Sequence, residues 1–149
     1  MAQYDPLVLK AGIPTVLGSE TLRADLSALA GLTTAGLNAG DACRVSGAMT
    51  LAQAIDTNAS GVVGVYDGVS GSMVREGSVV AGFISGLTVA AGEVAYVSGT
   101  AGKLTNVKPS ATGRYQTEVG VIFDTTGYVN PDYTCVVMLQ PQTPVYLPA

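Results

Sequence analysis

Asn38-Ala39-Gly40-Asp41-Ala42-Cys43-Arg44-Val45-Ser46-Gly47 is answered further along the chain by Ala90-Ala91-Gly92-Glu93-Val94-Ala95-Tyr96-Val97-Ser98-Gly99. Six of the ten aligned positions are the same or keep an acid. A second block recurs in the same order: Val63-Gly64-Val65-Tyr66-Asp67 answers Val119-Gly120-Val121 with Phe123-Asp124. Each half therefore reads as a Gly-acid turn, a strand, a variable link and a Val-Gly-Val strand. Gly before the acid is free to take positive φ, and the residues that follow alternate across a pleat. The Gly within Val-Gly-Val leaves room for a bulge or a crossing backbone.

Working outward, the rest of the chain is cut at short intervals by nineteen Gly and seven Pro. Short apolar runs between turn residues predict strands. They fall at Ala42 to Ser46, Val62 to Tyr66, Ser78 to Ile84, Glu93 to Val97, Gly102 to Val107, Gln116 to Phe123 and Thr134 to Leu139. Asn58 to Gly61, Asp67-Gly68, Ser70 to Ser72, Ser98-Gly99 and Pro109-Ser110 read as the turns between them. Thr50 to Asp56 is short enough to read as a single helical turn. The fold class is all-β: a small β-barrel or sandwich of two pseudo-repeated halves, with extended N- and C-terminal arms.

Residues 37–139 form the expected β domain. Residues 1–36 form an N-terminal arm with short strands at Leu7 to Leu9 and Thr15 to Leu17. Within it, Leu22, Leu26 and Leu29 have helical spacing, so Thr21 to Leu32 reads as a short helix or an irregular segment. Residues 140–149 are proline-rich and carry no charged side chain, yet include Val145, Tyr146 and Leu147. A free tail avoids such residues. The arm either packs on a neighbouring subunit or folds back on its own domain.

Composition narrows the function classes. Seven basic and eleven acidic residues give a net charge of −4, with no Lys/Arg cluster to displace counterions from phosphate. No nucleic-acid partner is expected. No apolar run approaches the roughly 20 residues that span a bilayer, so no membrane partner is expected either. The N-terminus lacks a basic region followed by an apolar one, which predicts synthesis in a cytosol. There Cys43 and Cys135 fit reduced, buried thiols better than a disulfide. So little charge on 149 residues suits a surface largely covered by other subunits, or an uncharged Ser/Thr coat.

The chain has no His, which removes the Ser-His and Cys-His pairs and the usual zinc ligand. Asp5, Asp25, Asp41, Asp56, Asp67, Asp124 and Asp132 are spread out, and an acid beside Gly is ordinarily a turn former. Gly99-Thr100-Ala101-Gly102-Lys103 lacks the Gly-x4-Gly-Lys-Ser/Thr spacing of a phosphate loop and reads as a hairpin turn. Asp124 with Asp132, or Asp56 with Asn58, offers oxygen ligands, but no alternating-acid calcium loop is present. No catalytic residue, cofactor or metal is expected, and the chain is read as a non-enzyme.

Val89 to Val97, Gly102-Lys103-Leu104-Thr105 and Val119-Gly120-Val121-Ile122 together resemble the capsid decoration (head auxiliary) and head-fibre proteins of tailed phages. The opening Leu7-Val8-Leu9-Lys10-Ala11-Gly12-Ile13-Pro14-Thr15-Val16-Leu17 is similar to openings of phage tail and fibre proteins. The resemblance covers about half the chain. It implies a virion protein made in the host cytoplasm, seated on the capsid surface as a homotrimer, with the major capsid protein as partner. Its role would be capsid stabilisation. The alternative is a tail or head fibre component that attaches to a host surface through exposed Tyr side chains. The residues expected to make assembly contacts are Leu7, Leu9, Val145, Tyr146 and Leu147.

Overall fold

The computed structural model describes residues 8–10, 13–15, 33–34, 36–47, 50–60, 63–140 and 142–148. These residues are all-β. Near the N-terminus, β1 (Val8–Lys10) and β2 (Ile13–Thr15) pair antiparallel as a two-stranded sheet. A four-stranded sheet follows, built from β3 (Ala42–Gly47), β4 (Thr50–Gln53), β5 (Val63–Asp67) and β6 (Ser72–Val74), in the order β4-β3-β5-β6.

A five-stranded sheet takes β7 (Gly77–Gly82), β8 (Val94–Val97), β9 (Leu104–Thr105), β11 (Glu118–Asp124) and β12 (Thr134–Leu139), in the order β7-β12-β11-β8-β9. Beside it, β10 (Tyr115–Gln116) pairs with β13 (Val145–Tyr146) near the C-terminus. All strand pairs in these sheets are antiparallel.

The two larger sheets pack as a sandwich around one core. Ala42, Val63, Val65 and Val74 of the four-stranded sheet share it with Ala81, Ala95, Val97, Leu104, Val119, Ile122, Cys135, Val137 and Leu139 of the five-stranded sheet. Period-two alternation, shifted by the irregularity between Glu118 and Gly120 in β11, sends these residues inward. No sheet closes into a barrel. At the open seam, Phe83, just past β7, makes a single parallel bridge to Leu104 of β9, and Ile84 N–H donates to the Leu104 carbonyl at 3.0 Å. With β9 only two residues long, no further rungs form there.

The two echoed turns are built alike. Gly40 has φ +88° and Gly92 +95°. The Asp41 carboxylate accepts from Asn38 N–H at 2.9 Å, and the Glu93 carboxylate from Ala90 N–H at 2.7 Å. Gly40 N–H donates to the Tyr66 carbonyl at 2.9 Å, as Gly92 N–H does to that of Ile122 at 2.8 Å. Cys43 stands opposite Gly64 in one sheet and Ala95 opposite Gly120 in the other. Both of these glycines lie under a neighbouring backbone. A Cβ on Gly64 would sit 2.3 Å from the Val74 carbonyl oxygen, and one on Gly120 2.1 Å from that of Met138.

Three sequence expectations are corrected. Thr50 to Asp56 is not a helical turn: Thr50–Gln53 is a strand, with Leu51 buried opposite Val45 of β3. The two strands lie side by side, and pairing with β3 satisfies backbone groups that one helical turn would leave open. Ser72 is not a turn residue but opens β6, where it is fully buried opposite Asp67. The run Gln116 to Phe123 is two strands, interrupted at Thr117, whose hydroxyl donates to the Ala59 carbonyl. The segment Thr21 to Leu32 lies outside the described residues.

Candidate functional site

In the five-stranded sheet, alternation that sends one set of side chains into the core sends the other set to the opposite face. Cross-strand register lines up Ser78, Met138, Val121 and Val94 in one row, and Val80 beside Val136 in the next. An antiparallel sheet with one solvated face normally carries polar residues there. Here Met138, Val121 and Val94 form an apolar row with Ser78 at its β7 end, and Val80 and Val136 extend it into the next row, where Asp124 stands opposite Val136. Val80 is 54 % exposed and Met138 42 % exposed, while Val94, Val121 and Val136 are half-buried. Glu118, opposite Tyr96, stands at one corner, and Phe123 is exposed at the bulge between Ile122 and Asp124.

Along the β7 margin of this face runs a groove of about 690 Å³. One wall is Ser78, Val79, Val80, Thr134 and Val136; the other is Ala39, Gly40 and the β5–β6 turn from Tyr66 to Val69. Val69 stands fully exposed at the tip of that turn. The turn is held by Asp67, whose carboxylate accepts from Val69 N–H at 3.0 Å and Ser70 Oγ at 2.9 Å.

Four other acids show similar structural engagement. Asp41 is buried and accepts from Gln53 Nε2 at 2.8 Å, with Lys103 Nζ 4.0 Å away. Asp56 is buried against the Arg114 guanidinium. Glu93 accepts from Asn106 Nδ2 at 2.9 Å as well as closing its turn. Asp124 accepts from both the N–H and the hydroxyl of Thr126, which hold its carboxyl below the usual range. Among the described residues no group of three His, Cys, Asp or Glu is placed to hold a metal ion. No helix among them is long and apolar enough to cross a membrane.

Both cysteines are free and buried. Burial, and then the neighbouring Asp41 charge, pushes the Cys43 thiol up to about 12. Burial and then Asp124 push Cys135 up to about 11. Thiols held protonated in this way are poor nucleophiles and poor metal ligands.

The residues singled out from sequence fall in two places. Leu7 lies outside the described residues, and Leu9 is placed on β1 opposite Pro14. The tail folds back on its own domain, one of the two alternatives open from sequence. Val145 pairs with Gln116 and Tyr146 with Tyr115, whose rings meet at 4.9 Å between centroids. Leu147 N–H donates to the Arg114 carbonyl at 2.8 Å, and its own carbonyl accepts from Gly113 N–H at 2.7 Å. Val145 and Tyr146 keep about half their surface exposed and Leu147 is half-buried. The apolar rows on β7, β12, β11 and β8 were not picked out from sequence. The signal was there, in Val-Val runs such as Val79-Val80 and Val136-Val137, which put apolar side chains on both faces of a strand.

Comparison of the chain with protein-family models, with curated proteins and with solved structures finds no match.

Proposed function

We propose that this chain is a structural protein of a phage particle that sits on the outer surface of the capsid and stabilises it. It works by covering and clamping rather than by catalysis. The observation that carries the reading is the apolar outer face of the five-stranded sheet, with Val80, Val136, Met138, Val121 and Val94 in adjoining rows. Apolar surface gathered on a sheet face is surface for another molecule. The low charge of the chain agrees, because charged residues are depleted at the cores of interfaces. The resemblance of the Gly-acid, Gly-Lys-Leu and Val-Gly-Val stretches to capsid decoration proteins supplies the identity of that other molecule, the major capsid protein. The same resemblance makes the protein a homotrimer on the shell. A second element of the reading is that the two halves are one duplicated unit, supported by their shared turn hydrogen bonds and strand register.

Repetition over a shell strengthens individually modest contacts, because each bound site raises the local concentration at the next. The test is incorporation into particles of a Met138→Lys variant. Lysine in the middle of the apolar row should lower the amount of chain retained on purified capsids at least tenfold, with the fold intact. Wild-type retention would remove the sheet face from the account.

A further inference from the structure

Two features have no further strand partner among the described residues, and each has what the other needs. The first is the β1–β2 hairpin. It pairs with neither larger sheet, and a lone two-stranded hairpin is marginal in water. The second is the free edge of β7, which stands at the end of the strand order with β12 on its other side. Gly82 N–H points away from β12 and donates to the Gly40 carbonyl at 2.9 Å. Because backbone groups alternate in direction along a strand, the N–H of Val80 and the N–H and carbonyl of Ser78 turn the same way. No described backbone group pairs with them. They open onto the groove of about 690 Å³ between β7 and the β5–β6 turn, whose lining combines Val69, Val79, Val80 and Val136 with Tyr66 and Asp67.

We infer that this edge is a strand-addition site for the N-terminal hairpin of a second copy of the chain. Among the described residues no strand pairing joins the hairpin to β7 within the chain, so the edge it extends belongs to a neighbour. Residues Val8-Leu9-Lys10 and Ile13-Pro14-Thr15 are apolar apart from one lysine and one threonine, which suits a groove with four valines and one charged residue, Asp67, in its lining. The strand placed against β7 is β1, because Pro14 in β2 lacks an N–H. Main-chain hydrogen bonds to Ser78 and Val80 would supply affinity, and the groove would take the alternate side chains. The contact is heterologous, hairpin on one side and edge on the other, so it closes either by mutual exchange between two copies or around a ring. It rests on the assembly reading only for self-association and needs no capsid, so the two can fail separately.

The test is the mass in solution of the purified full chain, by light scattering at about 100 µM, roughly 100-fold above a micromolar affinity. The wild type should exceed the single-chain 15.0 kDa. Ser78→Pro should reduce it to monomer, because the N–H it removes faces away from β12. Val80→Lys, which puts a charge in the groove, should do the same and stands in if the proline variant does not fold. Leu9→Asp should also give monomer. Mixing the Leu9→Asp and Val80→Lys variants should then restore a complex, since one contributes an intact edge and the other an intact hairpin. A monomeric wild type, wild-type mass in all three variants, or a mixture that stays monomeric would each overturn the inference. None of those results would bear on whether the protein binds capsids.

Discussion

Replacing Gly120 with alanine adds one methyl group where there is no room for it. The new Cβ would lie 2.1 Å from the Met138 carbonyl oxygen and 2.9 Å from Leu139 Cα. Both belong to the backbone of β12, so no side-chain rotation relieves the clash; β11 and β12 must move apart. Overpacking of a tight core costs about 1–3 kcal/mol, and a backbone obstacle places this case at the upper end, about 3 kcal/mol. For a chain of this length each kcal/mol lowers the melting temperature by about 2–4 °C, giving a drop of about 6–12 °C. Gly64→Ala should cost about the same, because its Cβ would meet the Val74 carbonyl oxygen at 2.3 Å. Gly47→Ala is the control: nothing lies within 4 Å of its Cβ position, so its effect should stay within about 0.5 kcal/mol. The assay is thermal unfolding followed by circular dichroism. Gly120→Ala and Gly64→Ala melting together with Gly47→Ala would refute the claim that both Val-Gly-Val strands are packed tightly against the backbone of the neighbouring strand.

Other expectations follow from the buried polar groups and the tail. Arg114→Ala leaves the Asp56 carboxylate buried without its cation and should cost about 1–3 kcal/mol; Asp56→Asn added to it should recover part of the loss in urea unfolding. The Cys43 and Cys135 thiols, raised in the folded state to about 12 and about 11, keep their protons when the unfolded chain begins to lose them near pH 9. Their contribution to stability is thus whole below pH 9 and lost as pH rises through 11 and 12. The melting temperature should fall over that window, and less steeply in a Cys43→Ala, Cys135→Ala double variant. At pH 8 a thiol reagent should label neither cysteine until the protein is unfolded. Tyr146→Ala removes the ring contact with Tyr115 and should cost about 0.5–1.5 kcal/mol by thermal melting.

The elements legible in the sequence were those whose residues have one structural use. Gly40-Asp41 and Gly92-Glu93 show a positive-φ glycine followed by an acid that closes its own turn, and both turns formed. Ala42 to Ser46 and Thr134 to Leu139 are short runs of strand-forming residues bounded by turns, and both are strands. Where short runs allow more than one structure, neighbours in space decided. Thr50–Gln53 became a strand because β3 lies beside it, and Ser72–Val74 because β5 does. In each case the partner is the strand just before it, and pairing rather than the run's own residues sets the structure. The closure of the sheet was undecided for the same reason: it turns on whether Leu104 and Phe83 meet over one rung or several.

The surface was harder to read than the fold. Tyr146 and Leu147 stood out as apolar residues in an uncharged tail, but their partners Tyr115 and Arg114 lie far off in sequence. Val80 and Met138 did not stand out, because a valine within a strand gives no hint of which face meets the core. That is known only once Ala81, Val137 and Leu139 are seen inside.

We propose above that this chain covers a capsid surface. The most direct measurement is its copy number in purified particles relative to the major capsid protein, from quantified gel bands. A ratio near one to one is the expected result. A few copies per particle would place the chain in a tail or fibre instead, and its absence from particles would contradict the claim outright.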